Sequence, residues 1–315
     1  MKIICTGELL IDFTPGLEPF SYKANPGGAV ANVAVSTARN GIDTSFLGVI
    51  GNDDFGHMLK EVLLKDNITM LKPELTDEAI TTLAFVTLYE GGERSFTFVR
   101  KPGADILLSP EDVKEADIAE CDLLHAGSVS LSGSPSREAT GKAMRVAKEL
   151  GKMVSFDVNY RDNIWHSEAK CKEAVDELLP YVDFLKISDE ETFIVGGSID
   201  LVPEFMIKNN IRVLIETLGA NGARYFFNNN GTIHTKTTEG YRVKAIDATG
   251  AGDAFWGGFL SRLLMFEPQK AADVTEEMVA VALAYANKSG AICVQKKGGI
   301  PAIPGKAEIE AFCTN

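Results

Sequence analysis

Apolar and polar positions alternate between two periods along most of the chain. Compact apolar runs, "KIICTGELL", "SFLGVIG", "DLLHAGS", "MVSFDVN", "VDFLKIS" and "RVLIETLG", predict buried strands. Between them, segments 29–40, 54–66, 136–150, 168–179 and 200–209 carry apolar residues at helical spacing. Strand then helix, repeated, predicts an α/β fold: a mostly parallel, doubly wound sheet with helices on both faces. One region departs from this. "TTLAFVTLYEGGERSFTFVRKPGAD" (81–105) alternates at period two about a Gly-Gly turn and predicts a β-hairpin. With the stretch around 12–24 it would form a small sheet beside the main domain, either a lid or an ordinary antiparallel edge.

Composition narrows the classes. A chain of 315 residues that is 45% hydrophobic makes one large domain or two and buries a sizeable core. The net charge of −13 disfavours nonspecific binding to nucleic acid or an acidic membrane, although a local site can still be positive. Five scattered cysteines with no Cys-x-x-Cys pair predict reduced thiols in a cytoplasmic protein. The four histidines do not pair at metal-ligand spacing. "MKIICTGELLIDF" meets Glu8 and Asp12 too early for a signal peptide, and no run approaches the ~18 apolar residues of a membrane span.

Two glycine-rich turns carry the candidate chemistry. "NPGGAVANVAVSTARNG" (25–41) sets Gly27 and Gly28 before small residues and Asn32. Glycine lets a backbone approach a ligand closely, and bare amides beside an amide side chain suit hydroxyl groups. A plain loop entering a helix, with Asn32 as its cap, fits the same residues. The spacing is neither the dinucleotide Gly-x-Gly-x-x-Gly nor a Walker loop.

In "DATGAGDAFWGGFL" (247–260), Phe255, Phe259 and Leu260, with Leu263 and Leu264, fall on one helical stripe, which makes Gly250, Ala251 and Gly252 the turn before a helix. Their amides would lack intrahelical partners, and the helix dipole adds about half a positive charge, a setting for a phosphoryl group. Asp253 then stands in the first turn. Capping is one use for it, but capping needs no glycines. A carboxylate beside a phosphate is repulsive unless it orients an attacking hydroxyl and accepts its proton, a contribution of about 10²–10⁴ in rate.

"GGAVANVAVSTARNG" and "DATGAGDAF" resemble, in order and at opposite ends of the chain, the two signatures of the PfkB, or ribokinase-like, carbohydrate kinases. The resemblance implies one ribokinase-like doubly wound domain over 1–315, with a lid formed by about 12–24 and 81–105. It implies transfer of the γ-phosphoryl of ATP to a sugar hydroxyl with Mg²⁺. It makes Asp253 the base, has the amides of Gly250, Ala251 and Gly252 cradle the transferring group, and makes Asp12, Gly28 and Asn32 sugar contacts. "KISDEE" (186–191) stands at the family's Asn-x-x-Glu motif, with Ser188 in place of the Asn and Glu191 kept, near the phosphates and Mg²⁺ through water. "TLGANG" (217–222) places Thr217, Gly219 and Gly222 along ATP, and Asn287 resembles an adenine-side residue. Asp247 matches a site for a monovalent cation such as K⁺. Ala248 and Asn40 depart from the signatures at positions outside this chemistry.

The sugar is read from three segments. "DVNYRDNIW" (157–165) resembles a stretch shared by fructokinases and 2-keto-3-deoxygluconate kinases, with Arg161 facing sugar or phosphate or else packing on Trp165. "FTFVRKPGADILL" (96–108) and "KKGGIPAIP" (296–304) resemble fructokinases, with Arg100 projecting from the lid toward the sugar. The expectation is ATP-dependent phosphorylation of D-fructose at its 6-hydroxyl. The alternatives are 2-keto-3-deoxygluconate kinase, another sugar or nucleoside kinase of this family, and a non-catalytic sugar- or nucleotide-binding regulator. Phe96 and Phe98 on the lid suit a homodimer through paired lids.

Overall fold

The computed structural model describes residues 1–88 and 94–313. The strands of the first half are β1 (Lys2–Thr6), β2 (Leu10–Pro15), β3 (Tyr22–Gly27), β4 (Asp43–Leu47), β5 (Ile50–Gly51), β6 (Thr69–Met70), β7 (Leu75–Thr76), β8 (Leu83–Leu88) and β9 (Arg94–Val99). Those of the second half are β10 (Leu123–Gly127), β11 (Met153–Asp157), β12 (Phe184–Ser188), β13 (Val213–Thr217), β14 (Ala223–Asn229) and β15 (Thr232–Thr238). The helices are α1 (Ala29–Arg39), α2 (Asp54–Lys65), α3 (Glu115–Ala119), α4 (Ser136–Glu149), α5 (Asp162–Trp165), α6 (Glu168–Asp176), α7 (Val202–Asn209), α8 (Ala251–Leu264), α9 (Glu276–Cys293) and α10 (Lys306–Ala311).

The main sheet runs β15-β14-β13-β12-β11-β10-β1-β4-β6. It is parallel from β13 to β6 and antiparallel at β13–β14 and β14–β15. Because successive side chains leave a strand on opposite faces, each apolar run feeds two cores. Ile3, Leu123, Met153, Phe184 and Val213 pack with α1, α2, α8 and α9. Their neighbours Ile4, Leu124, Val154, Leu185 and Leu214 pack with α3, α4, α6 and α7. The second sheet, β3-β2-β8-β9, joins the two segments expected to pair, 12–24 and 81–105. Its face is aromatic: Phe13 stacks on Phe85 at 4.8 Å, and Tyr22 meets Phe85 edge-on at 5.4 Å.

Two strand readings are corrected. "KIICTGELL" divides at Gly7, so that β1 lies in the main sheet and β2 in the second sheet. A Cβ on Gly7 would stand 2.7 Å from Val30 Cγ2, so α1 packs too closely there for a side chain. The antiparallel edge β14–β15 was not foreseen, although its turn, Asn230 and Gly231 at φ 52° and 93°, is a hairpin signal present in the sequence. The Gly-Gly turn at 91–92 and the Phe96 side chain lie outside the described residues.

Candidate active site

The C-terminal ends of parallel strands are where open α/β sheets place their ligands. Here β11, β12 and β13 end at Asp157, Ser188 and Thr217, and the N-termini of α1 and α8 come to the same edge. Gly250 opens α8 at φ 76°, a left-handed conformation that suits glycine. The helix begins at Ala251, earlier than expected, so Ala251 and Gly252 are its first two residues and Asp253 its third. This also corrects the amide assignment. The Ala251 amide is already used, donating to the Ala248 carbonyl at 3.2 Å. The amides of Gly250 and Gly252 carry no hydrogen bond among the described residues, and the dipole concentrates positive potential there.

Asp253 is buried, and Asn32 of α1 donates its Nδ2 to Asp253 Oδ2 at 2.7 Å. Asn32 is therefore first a holder of the acid. Its Oδ1 is buried without a partner among the described residues, an acceptor suited to a hydroxyl group. Burial, then the negative charge of Asp157, push the Asp253 carboxyl up to about 6; the Asn32 bond, Lys186 and Arg161 act against that rise.

The cation beside this pocket was not identified from the sequence. Lys186 Nζ donates to both Asp157 oxygens at 2.9 Å, and both side chains are buried. The two residues are register partners on adjacent parallel strands. Nζ lies 3.7 Å from the point where a Cβ on Gly252 would stand, so a fixed positive charge flanks the free amides. Burial pulls the Lys186 pKa down, but Asp157 and Glu191 more than offset it, and the net shift is upward. Glu191 is locked by backbone: Oε1 accepts from the Tyr160 amide at 2.6 Å and Oε2 from the Ser188 amide at 2.8 Å. Burial raises its pKa, against the pull of Lys186. Ser188 thus anchors Glu191 through its backbone.

On the side of the second sheet, Asp12 points at Gly27 so closely that a Cβ there would fall 2.1 Å from its Oδ2. Burial raises Asp12 to about 7; Arg161 opposes the rise, and Asp253 and Asp247 add to it, which puts all four charged groups in one electrostatic neighbourhood. Arg161 donates to the Tyr160 carbonyl at 3.0 Å and makes no cation–π contact with Trp165 among the described residues. Gly28 holds φ 109°, and a Cβ there would stand 2.5 Å from the Glu8 carbonyl oxygen. A second residue the sequence reading missed is Glu8 itself, whose Oε1 accepts from the Ala29 amide at 2.7 Å and caps α1 in the role considered for Asn32.

Arg100 does not extend as expected. Its Nε donates to Asp105 at 2.8 Å, Nη1 to Ser132 Oγ at 2.6 Å, and Nη2 pairs with Asp105 at 2.6 Å. The buried Asp105 carboxylate recruits the guanidinium, which ties the base of β9 to the main domain.

Along the other flank, Thr217 ends β13, and Gly219 and Gly222 shape the turn behind it at φ 55° and 96°. Asn287 on α9 is buried with its Nδ2 unpaired among the described residues, a donor suited to a ligand acceptor. Asp247 accepts from the amides of Thr249 at 2.8 Å and Gly298 at 3.0 Å, which pins the loop before α8 to the segment after α9. Among the described residues no group of three His, Cys, Asp or Glu side chains can hold a metal ion directly, and no helix is long and apolar enough to cross a membrane.

The chain is similar to known proteins along nearly its whole length. The family model for pfkB family carbohydrate kinases matches residues 1–306. The chain is 38% identical over 320 residues to probable fructokinase-2 of Arabidopsis thaliana, covering 98% of this chain and 95% of that one. The structure resembles fructokinase with bound ATP from Xylella fastidiosa, with a TM-score of 0.88, 30% identity and coverage of 98% and 97%. It also resembles a fructokinase double mutant from Vibrio cholerae O395 in its form with fructose, ADP and potassium ion, with a TM-score of 0.87, 34% identity and coverage of 99% and 97%. With the family model matched over residues 1–306 and a relative 38% identical across 98% of its length, the chain belongs to the pfkB family of carbohydrate kinases.

Proposed function

We propose that the protein is an ATP-dependent fructokinase that moves the γ-phosphoryl group of ATP to the 6-hydroxyl of D-fructose. The observation that carries this reading is the meeting of Asp253, held by Asn32, with the free amides of Gly250 and Gly252 and the Lys186 ammonium. Fructose would lie between Asp12, Gly28, Asn32 and Arg161, with its 6-hydroxyl on Asp253. ATP would lie along Thr217, Gly219, Gly222 and Asn287, with its terminal phosphate at the α8 start. The bond from O6 to phosphorus forms as the bond from phosphorus to the ADP oxygen breaks. The O6 proton passes to Asp253 Oδ1, because Oδ2 is engaged by Asn32. The amides and Lys186 stabilise the charge on the transferring group, and their fixed placement avoids reorganisation at the moment of transfer.

Mg²⁺ would be held chiefly by phosphate oxygens and water, as its preference for oxygen and retained water allows, with Glu191 facing one of those waters through its remaining lone pairs. Bound there, it neutralises phosphate charge. K⁺ fits the loop joined by Asp247 and Gly298, beside the α8 start. The second sheet would act as the lid over fructose. A homodimer through this sheet is supported by its exposed tip residues, Leu17 and Phe20. Five free cysteines, four of them buried, support a reducing, cytoplasmic setting.

Turnover of purified protein with ATP and Mg²⁺ on fructose, ribose, adenosine, tagatose and 2-keto-3-deoxygluconate tests the assignment. Fructose should give the highest kcat/KM; a higher value for another acceptor would reassign the substrate. A protein that turns over none of them, yet melts higher with one, would be a binding regulator.

A further inference from the structure

A second cavity lies at the opposite edge of the main sheet from the active site. It measures about 540 Å³ and is lined by Lys148, Lys152, Arg212, Lys270, Asp183 and Asn228, among others. Lys152, Asp183 and Arg212 precede β11, β12 and β13, one strand length from the ends that carry Asp157, Ser188 and Thr217. The charge pattern here runs against that of the whole chain. The protein carries 44 acidic against 31 basic residues, yet four cations and one acid line this hollow.

That acid is already committed. Asp183 accepts from Lys148 Nζ at 2.7 Å and from the Val154 amide at 2.9 Å. Lys152, Arg212 and Lys270 form no ion pair among the described residues. Arg212 is held in place by neutral groups: Nη2 donates to the Val274 carbonyl at 2.6 Å, Nη1 donates to the Asn228 carbonyl, and the guanidinium lies 4.4 Å over the Phe227 ring. Burial lowers its pKa, the response of a cation lacking a counter-charge. Three cations without an ion-pair partner among the described residues line one hollow, and a bound polyanion would supply their counter-charge.

We propose that this cavity is a second ligand site, separate from the phosphoryl-transfer centre, for a small anion bearing two phosphoryl groups. The fixed Arg212 would grip one group with its remaining donors, and the longer-reaching Lys152 and Lys270 would close on the other. Occupancy there has a direct route to the active site. Arg212 ties residues 272–274, which lead into α9 and Asn287, and it immediately precedes β13, which ends at Thr217.

The test is calorimetric titration of the full chain, its active site saturated with fructose and a non-hydrolysable ATP analogue. Inorganic pyrophosphate is titrated in one arm and fructose 1,6-bisphosphate in the other, to separate an inorganic from a sugar-borne source. At least one should bind saturably, one per chain, with Kd raised at least tenfold in Lys152→Ser/Lys270→Ser. Both positions are solvent-accessible and outside the catalytic centre, so the variant should keep its turnover of fructose. No saturable binding of either probe, or equal binding by the variant, overturns the proposal.

Discussion

Helices α1 and α8 begin alike, each after a glycine with positive φ and each followed by small residues, and they pack side by side. Their N-termini are treated in opposite ways. At α1 the protein supplies its own acceptor: the buried Glu8 carboxyl accepts from the Ala29 amide, which satisfies the helix start internally. At α8 the one acid in the first turn, Asp253, is drawn aside by Asn32 of the other helix, and amides at the start are left without partners. One dipole end is closed by a side chain, and the other is left open. The bond from Asn32 to Asp253 joins them, so the closed helix positions the carboxylate of the open one.

Substitutions at these two helix starts should therefore have unequal consequences. The largest effect is expected at Asp253. Asp253→Asn keeps the size and the α8 start but loses the proton acceptor, so kcat should fall by about 10²–10⁴ with little change in the affinity for an ATP analogue. A kcat within threefold of wild type would remove Asp253 from proton transfer.

Lys186→Met comes next. It should lower kcat by about 10²-fold, the size typical of one lost electrostatic donor, and it should also lower Tm because Asp157 is left buried without its partner. Lys186→Met/Asp157→Leu should recover much of the Tm and none of the kcat. If the double variant regained activity along with Tm, Lys186 would be a structural residue only.

Asn32→Ala should have a smaller effect, with a direction set by pH. The Asn32 bond favours the ionised form of Asp253, whose pKa is about 6. Only the ionised carboxylate accepts a proton, so wild-type kcat/KM should fall as pH drops through about 6. Without Asn32 this acid limb should move to higher pH, and kcat should drop about tenfold. An unmoved limb would show that another group titrates.

Glu8→Gln, at the closed helix, should leave kcat within about twofold, since the amide oxygen still accepts from Ala29. Its signature is in stability. Burial raises the Glu8 pKa from 4.5 to about 7 in the folded protein. The favourable contribution of the protonated form is therefore full below about 4.5 and is lost as pH rises through about 7. The decline in Tm between these limits should be shallower in Glu8→Gln. Parallel Tm curves would contradict the role of Glu8.

The comparison also shows what the sequence could and could not disclose. Both glycine turns, Asn32 and Asp253 were legible, because local chemistry at a helix start depends on residues near in the chain. The pairing of Asp157 with Lys186 was not, because it follows from the register of parallel strands, which no spacing reports. Glu8 was hidden within an apolar run that read as one strand, and the break at Gly7 became visible only through the packing of Val30 against it. Arg100 was misjudged for a related reason. The resemblance of its segment to fructokinases placed Arg100 toward the sugar, and its buried partner Asp105 was not recognisable as one. The β14–β15 hairpin, by contrast, carried a readable Asn-Gly turn.

The claim on which the rest depends is that Asp253 and the open start of α8 face the two ends of one transferring phosphoryl group. A crystal structure of the protein with fructose, ADP and aluminium fluoride tests it directly. Fructose O6 should lie within about 2.6–3.2 Å of an Asp253 oxygen, with the aluminium fluoride against the Gly252 amide and Lys186. A fructose hydroxyl in line with the aluminium but out of reach of Asp253, or a fluoride group bound away from α8, would contradict it.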